Sequence, residues 1–171
     1  MTPAAVSSVD TGPTSGSPSE SETGLPPISA DDRISLSQVF AKTDGWQENK
    51  YNFAGKVGVQ GMASLVQGCG SDSSQVQWIE LRLQNKFTEL DFDVSQSDSS
   101  KSSDQRLTAE VVANGQQVDI DTVPFNKIKA FTRINLRDVN ALKIRLFLDD
   151  KVEGCSYKGG VEAVLSNVVV R

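Results

Sequence analysis

Two pairs of closely spaced carboxylates are the first groups in this 171-residue chain whose types and spacing could support chemistry. Asp91 and Asp93 share one face of a predicted strand, whereas Asp149 and Asp150 lie in a predicted turn. A glycoside hydrolase needs two carboxylates that face each other across a cleft at a defined separation, and the sequence does not place such a pair. We therefore interpret both pairs as solvated charges.

The chain contains no histidine, which removes several kinds of catalytic site. Ser–His and Cys–His nucleophile pairs are impossible, and two cysteines without histidine cannot supply the usual zinc ligands. The glycines of GVQGMAS, residues 58–64, lack the lysine of a phosphate-binding P-loop and do not open a helix. We predict that the protein is not an enzyme and that it has no catalytic residue and no metal-binding residue.

The two cysteines, Cys69 and Cys155, both lie in Gly/Ser-rich turns, GCGSD and EGCSY. Turns at one end of a β-sandwich come close together, so we predict that the two residues form a disulfide. A disulfide implies an oxidising compartment and hence an extracellular or cell-envelope location. The alternative is two reduced, unrelated thiols.

Aromatic side chains beside polar groups are the candidates for ligand binding, because small-molecule sites combine an apolar platform with a few hydrogen-bonding groups. Trp78 alternates with Glu80 and Arg82, so it falls on the more polar face of its strand. Trp46 follows an Asp-Gly turn, and Tyr157 lies in the same turn as the second cysteine. We predict these five residues as ligand contacts. The alternatives are that a second layer buries Trp78 and that Trp46 plugs one end of the fold.

The elements that must position these residues are short strands. Period-two alternation of apolar and polar residues dominates the chain after about residue 50, and Asn114-Gly115 is typical of a type I′ hairpin turn. The pattern predicts an all-β fold, an antiparallel β-sandwich of the jelly-roll kind, with roughly eight strands and almost no helix. The predicted strands are Phe53–Leu65 (one or two strands, interrupted by glycines), Val76–Leu83, Phe87–Val94, Arg106–Ala113, Gln117–Val123, Ala130–Leu136, Leu142–Leu148 and Val161–Val170.

The composition changes near residue 30. Residues 1–29 hold five of the six prolines and many Ser, Thr and Gly residues, so they cannot bury enough apolar surface to offset the entropy of ordering. We predict a disordered Ser/Pro/Thr-rich linker over 1–29 and a β-sandwich module over 30–171. Such a leader often follows a signal peptide or a membrane anchor, so we expect membrane attachment only through a segment upstream of Met1.

The formal net charge of −5, without a basic tract, argues against nucleic acid and anionic membrane surfaces as partners. The order of segments in the predicted module also resembles a known family, the NPCBM family (novel putative carbohydrate-binding module). The resemblance covers about residues 35–171 and rests on VGVQGMASLVQ, FTELDFDVSQSD, LTAEVVANGQQV and INLRDVNALKIRLFLDD. Gly61, Ala63 and Ser64 match the position of the family's glycine motif, and Val139, Ala141 and Leu142 resemble its turn-and-strand segment.

The resemblance implies a galactose-binding-like sandwich that binds carbohydrate or another cell-envelope component without catalysis. The alternative function is a protein-interaction or sensor ectodomain of a membrane-anchored protein. Galactose-binding-like sandwiches often hold a structural calcium, and residues 97–104 and 148–154 offer oxygen ligands. Neither segment has the ligand spacing of an EF-hand loop, so we favour solvated loops and predict no required cofactor.

Overall fold

The structure, a computed structural model, describes Met1 and residues 24–101, 105–151, 155 and 159–171. Its described part is all-β, with a single 3-10 turn at Leu36–Gln38 and ten strands. The strands are β1 Ala41–Lys42, β2 Gln47–Phe53, β3 Lys56–Val66, β4 Gln77–Arg82, β5 Glu89–Gln96, β6 Leu107–Ala113, β7 Gln116–Val123, β8 Ile128–Asn135, β9 Ala141–Leu148 and β10 Val161–Val170. In the described ranges, no helix is both long and apolar enough to cross a membrane.

The strands form two five-stranded antiparallel sheets, which confirms the predicted β-sandwich. The first sheet has the order β1-β4-β9-β6-β7, and the second sheet has the order β2-β3-β10-β5-β8. Alternate residues of β4, β5 and β9 face the shared core, as the period-two pattern predicts. The core includes the aromatic pair Phe92 and Phe131, which are partners on β5 and β8 and whose ring centroids lie 4.6 Å apart.

The sequence pattern misses β2 as a separate strand. Five of its seven residues are exposed, and a strand without a buried face shows no alternation of apolar and polar residues. The strand forms because it pairs with β3 along its whole length, from Gln47 opposite Ala63 to Phe53 opposite Lys56. The very short β1 escapes detection for a similar reason, since only two of its residues pair with β4.

The β2–β3 hairpin lies across the outer face of the second sheet. Phe53 is 1% exposed and packs with Ala63 and Val164, whose side chains point away from the main core. The backbone N–H of Asp98, just after β5, donates to the carbonyl oxygen of Asn52 with an N···O distance of 2.8 Å. The hairpin therefore covers part of this sheet with a second small apolar cluster.

Close packing under this hairpin depends on Gly61, one of the residues that carry the family resemblance. A Cβ at this position would lie 2.8 Å from the carbonyl oxygen of Leu165 and 2.8 Å from the Cγ1 of Val164. Only glycine lets β3 approach β10 this closely. A register shift between Tyr51 and Phe53 of β2, which pair with Val59 and Lys56, places one extra residue in β3 beside Gly58, and Gly58 has φ 67°.

Four loops share one end of the sandwich, because successive antiparallel strands run to and from it. Their described residues are 67–76, 97–101 with 105–106, 124–127, and 149–151 with 155 and 159–160, and we call this side the loop end. The backbone N–H of Gly70 donates to the carbonyl oxygen of Leu148, and the N–H of Leu148 donates to that of Gly68, both at 2.7 Å. The first of the four loops is therefore tied to the end of β9.

The predicted linker falls mostly outside the described residues, which begin again at residue 24. Ile28 packs against the core, and the Nε2 of Gln38 donates to the carbonyl oxygen of Pro27 at 2.6 Å. The chain is thus already in contact with the sandwich at these positions. The disorder of residues 1–29 and the boundary at residue 30 remain predictions.

Candidate functional site

The predicted disulfide between Cys69 and Cys155 is confirmed. Their sulfur atoms are 2.06 Å apart and their Cα atoms 6.2 Å apart. Cys69 also forms an isolated bridge with Leu148 at the end of β9. The disulfide therefore joins two loops of the loop end across a sequence separation of 86 residues.

Trp78, Glu80 and Arg82 lie side by side on the outer face of the first sheet, where they alternate with the buried Ile79 and Leu81. The structure thus brings three of the five predicted ligand contacts together. Trp78 is half-buried, as is Glu80, whereas Arg82 is exposed. Ligand binding by these residues remains a prediction.

Charged neighbours already occupy the groups that a ligand would use on this face. The Nζ of Lys143 lies 4.2 Å from the ring centroid of Trp78 and 3.5 Å from a carboxylate oxygen of Glu80. Arg82 also pairs with Glu80 at 2.8 Å, and its guanidinium lies 4.3 Å from the ring centroid of Phe40. We call these five residues the outer-face ladder. A sugar that stacked on this face of Trp78 would have to displace the Lys143 ammonium.

The remaining two predicted contacts differ in what the structure says of them. Trp46 is 6% exposed and belongs to the main core, and its indole N–H donates to the Oγ1 of Thr43 at 3.1 Å. A ring in this position fills the interior and offers no open face to a surface ligand, as the plug alternative requires. Tyr157 lies outside the described residues.

A cleft of about 300 Å³ opens at the loop end, on the outer side of the second sheet. Leu65 of β3 and Glu162 of β10 are cross-strand partners that both face outward, and Leu65 is 49% exposed. The β5–β6 loop and the start of the β10 segment supply the other walls. The lining residues are Leu65, Gln67, Ser99, Ser100, Lys101, Gly159 and Glu162.

Hydrogen bonds to three serines position Glu162 in this cleft. The Oγ of Ser99 donates to the Oε2 of Glu162 at 3.2 Å, and the backbone N–H of Glu162 donates to the Oγ of Ser100 at 3.0 Å. The backbone N–H of Ser97 donates to the carbonyl oxygen of Glu162 at 2.8 Å. The loop after β5 is therefore fastened to β10, and the carboxylate keeps free lone pairs for a ligand.

The β2–β3 hairpin lies near the same cleft. Burial raises the pKa of the Tyr51 hydroxyl, and the negative charges of Glu162 and Glu48 raise it further. Tyr51 is thus close enough to sense the charge of the cleft carboxylate, and it stays a neutral hydroxyl at physiological pH. The cleft combines the exposed apolar side chain of Leu65 with hydroxyl, amide, ammonium and carboxylate groups.

Sequence reasoning missed this cleft. The signal that could have found it is Leu65, an apolar residue on β3 out of phase with the inward-facing Met62 and Val66. Period-two alternation marks such a residue as outward-facing. Its partner Glu162 and the serines of the β5–β6 loop become neighbours only through the pairing of β3, β10 and β5.

The carboxylate pairs noted in the sequence take part in structural contacts. The backbone N–H of Arg133 donates to Asp91 at 2.6 Å, and this bond, together with a bond from Arg171, lowers the pKa of Asp91. Asp93 accepts a hydrogen bond from the Nδ2 of Asn167 at 2.7 Å. Asp149 accepts one from the backbone N–H of Lys151 at 3.0 Å.

A structural calcium would need several oxygen ligands in one place. Among the described residues, no three or more acidic or cysteine side chains group closely enough to hold a metal ion. The two segments proposed as oxygen ligands, 97–104 and 148–154, lie partly outside the described ranges. The calcium alternative stays a prediction.

Comparison with known proteins adds the identity of the fold. No protein-family model matches the chain, and no curated protein matches it. Solved structures of carbohydrate-binding modules are similar to it. One is CBM51 from Clostridium perfringens GH95 in complex with methyl-galactose, with a TM-score of 0.57 and 11% identity over 78% of this chain and 94% of that one.

Two further structures are similar over most of the described sandwich. CBM51-2 of Clostridium perfringens ZmpB, in complex with GlcNAc, has a TM-score of 0.56 and 12% identity over 78% of this chain and 29% of that one. The tandem CBM51 modules of Sp3GH98 from Streptococcus pneumoniae SP3-BS71 have a TM-score of 0.54 and 14% identity over 77% of this chain and 44% of that one. At these identities the similarity establishes the fold, which is a β-sandwich shared with carbohydrate-binding modules.

Proposed function

We propose that this domain is a non-catalytic, extracellular carbohydrate-binding module of the NPCBM type and that it binds its glycan in the cleft at the loop end. The observation that carries the proposal is the convergence of polar groups around the exposed Leu65 in a fold shared with carbohydrate-binding modules. Two of the similar modules were solved with methyl-galactose and GlcNAc. These ligands make a monosaccharide unit a reasonable size for the cleft.

The chemistry of the lining supports a sugar ligand. The exposed methyl groups of Leu65 can contact the C–H face of a pyranose ring, while Glu162 accepts hydrogen bonds from hydroxyl groups. Lys101 supplies an ammonium donor on another side of the cleft. A hydrogen bond to an ionised group is stronger than one between neutral groups, so Glu162 should be the main polar anchor.

The absence of catalysis rests on the residues themselves. Glu162 is the single carboxylate among the described residues that line the cleft, whereas glycoside hydrolysis uses two. The chain has no histidine to activate a nucleophile. The described groups of the cleft therefore lack the second carboxylate that glycosidic bond cleavage needs, and we propose sugar binding without cleavage.

The proposed location follows from the disulfide. A disulfide between two loops persists in an oxidising environment, such as the cell exterior or envelope. In this proposal the Ser/Pro/Thr-rich residues 1–29 act as a flexible linker, and any membrane anchor would lie upstream of Met1. The partners are then glycans or other envelope components, rather than nucleic acids.

A glycan array with the full-length chain, followed by calorimetric titration of the sugars that bind, tests the proposal. Glu162→Gln should weaken binding about tenfold or more, because it replaces a charged acceptor with a neutral one. Glu89→Gln is the matched control, since Glu89 lies at the opposite end of β5, and it should bind as tightly as the unmodified chain. Circular dichroism should show that both variants keep their fold.

The same titration separates the cleft from the outer-face ladder. If Trp78→Ala abolishes glycan binding and Glu162→Gln does not, the site lies on the first sheet and our placement of it is wrong. If no glycan binds, the proposed function is wrong. The alternative of a protein-interaction ectodomain would then be favoured, because exposed Phe40 and Ile120 give the first sheet apolar positions for a protein partner.

A further inference from the structure

The strand β7 ends one side of the first sheet and has only β6 as a hydrogen-bonded neighbour. It is eight residues long, and the side chains of Val118 and Ile120 are 49% and 44% exposed. An edge strand of this length with exposed apolar residues is in general a template for pairing with another chain, because no neighbouring strand binds its outward N–H and C=O groups.

Two donors of this strand are occupied by the protein's own side chains. The backbone N–H of Ile120 donates to the Oδ1 of Asp119 at 2.8 Å, and that of Thr122 donates to the Oδ1 of Asp121 at 2.7 Å. In an antiparallel ladder, residues two apart direct their backbone groups to the same side. The two N–H groups therefore lie on one side of β7, and the carboxylate of the preceding residue caps each of them.

An ion pair holds the second cap in place. The Nζ of Lys129, on β8 of the second sheet, pairs with the Oδ2 of Asp121, so the other carboxylate oxygen stays directed at the backbone. The hydrogen bond from Lys129, followed by that from Thr122, lowers the pKa of Asp121. The carboxylate is thus ionised at neutral pH. The contact also links the two sheets along their open side, where β7 and β8 are both edge strands.

We propose that Asp119 and Asp121 cap the β7 edge and thereby keep the chain from pairing through β7 with a second copy of itself. A second copy is the fitting occupant, because two identical antiparallel edges are self-complementary about a two-fold axis. Such pairing would join two five-stranded sheets into one and bring Val118 and Ile120 of both chains together. An approaching strand would have to break both caps and accommodate two carboxylates from each chain.

The test uses the full chain with both caps removed, Asp119→Ala/Asp121→Ala, in sedimentation velocity over a wide concentration range. The unmodified protein should stay monomeric over this range. The variant should form dimers, with a dissociation constant at least about tenfold below the highest concentration at which the unmodified protein is still monomeric. The matched control, Asp32→Ala/Asp44→Ala, removes the same charge from exposed turns and should stay monomeric. A variant without caps that remains monomeric at the highest concentration would overturn the proposal.

Two more variants distinguish capping from charge repulsion and locate the interface. Asp119→Asn/Asp121→Asn keeps an acceptor oxygen but loses the charge, so it should stay monomeric; association as strong as that of the alanine variant would contradict capping. Adding Ile120→Pro to the alanine variant removes one outward N–H without breaking the ladder to β6. It should restore the monomer, and persistent association would place the interface elsewhere.

Hydrogen exchange tests the caps without reference to association. At a concentration where sedimentation shows the alanine variant to be monomeric, the amide protons of Ile120 and Thr122 should exchange about tenfold faster than in the unmodified protein, because each loses its acceptor. Unchanged exchange would overturn the proposal. If the double variant fails to fold, the single Asp119→Ala change leaves the Asp121–Lys129 contact intact and should accelerate exchange at Ile120 alone. Neither readout depends on glycan binding, so this proposal and the proposed function can fail separately.

Discussion

Removing the disulfide, by the double change Cys69→Ala/Cys155→Ala, should strongly lower the free energy of unfolding. The bond closes a loop with a sequence separation of 86 residues, and the chain-entropy relation gives about 4.5 kcal/mol for a loop of this length at 25 °C. For a domain of this size, such a loss lowers the melting temperature by about 10–15 °C. The change should act mainly on the unfolded state, because it enlarges the ensemble available to the unfolded chain.

The folded state should survive the change, since other contacts hold the same loop. The two backbone hydrogen bonds between Leu148 and the glycines on either side of Cys69, both at 2.7 Å, do not involve the sulfur atoms. Cys155 packs only partly against the core, so its replacement by alanine removes little apolar contact. We therefore expect almost the whole loss to come from chain entropy.

Urea unfolding of three samples measures this loss: the unmodified protein, the same protein with a reductant, and the double variant without reductant. The second and third samples should give the same free energy of unfolding, about 4.5 kcal/mol below the first. The dependence of that free energy on urea should steepen, because the unfolded chain without the cross-link exposes more surface. A loss below about 1 kcal/mol, or a loss in the reduced sample that the double variant does not share, would refute the reasoning.

Two further predictions concern stability. Asn114→Ala should cost about 1–3 kcal/mol, because Asn114 has φ 48°, donates to the carbonyl oxygen of Asp138 at 2.8 Å and accepts from the N–H of Ala141 at 3.2 Å. Gln116→Ala on the same hairpin is the control, and equal urea midpoints for the two variants would contradict the prediction. The pKa of Asp91 is lower in the folded state than its ordinary value of 3.8, so the ionised carboxylate stabilises the fold at pH values above 3.8. This contribution disappears as the pH falls through the lower folded-state pKa. Asp91→Asn should therefore destabilise the protein at neutral pH and match it at strongly acidic pH, and a constant difference at all pH values in urea titrations would show that the ionised form carries no stabilisation.

The strands and their buried faces could be predicted from the sequence because alternation is a local property. Leu90, Phe92 and Val94 face the core as their spacing indicates, each with 1% exposure or less. The hairpin turn at Asn114-Gly115 could also be predicted from local sequence, because this dipeptide favours positive φ at both positions. The structure has φ of 48° at Asn114 and 83° at Gly115. The disulfide partner followed from there being only two cysteines.

Sequence patterns also placed Trp78, Glu80 and Arg82 on one strand face, but they could not supply what lies beside that face. Lys143 reaches the Trp78 ring only because β9 pairs with β4. Trp46 shows the same limit, because its flanking residues favour a turn while its 6% exposure results from packing into the main core.

The sequence by itself determined which residues form strands β3 to β10, which of their faces are apolar, and that histidine chemistry is absent. The tertiary structure alone decided that Leu65, Glu162 and Ser99 share one cleft and that the carboxylates of Asp119 and Asp121 lie along an open sheet edge. The physical reason is the range of the interactions. Backbone conformation and alternation depend on near neighbours in the chain, whereas strand order and register depend on pairing between distant segments, which no local pattern specifies.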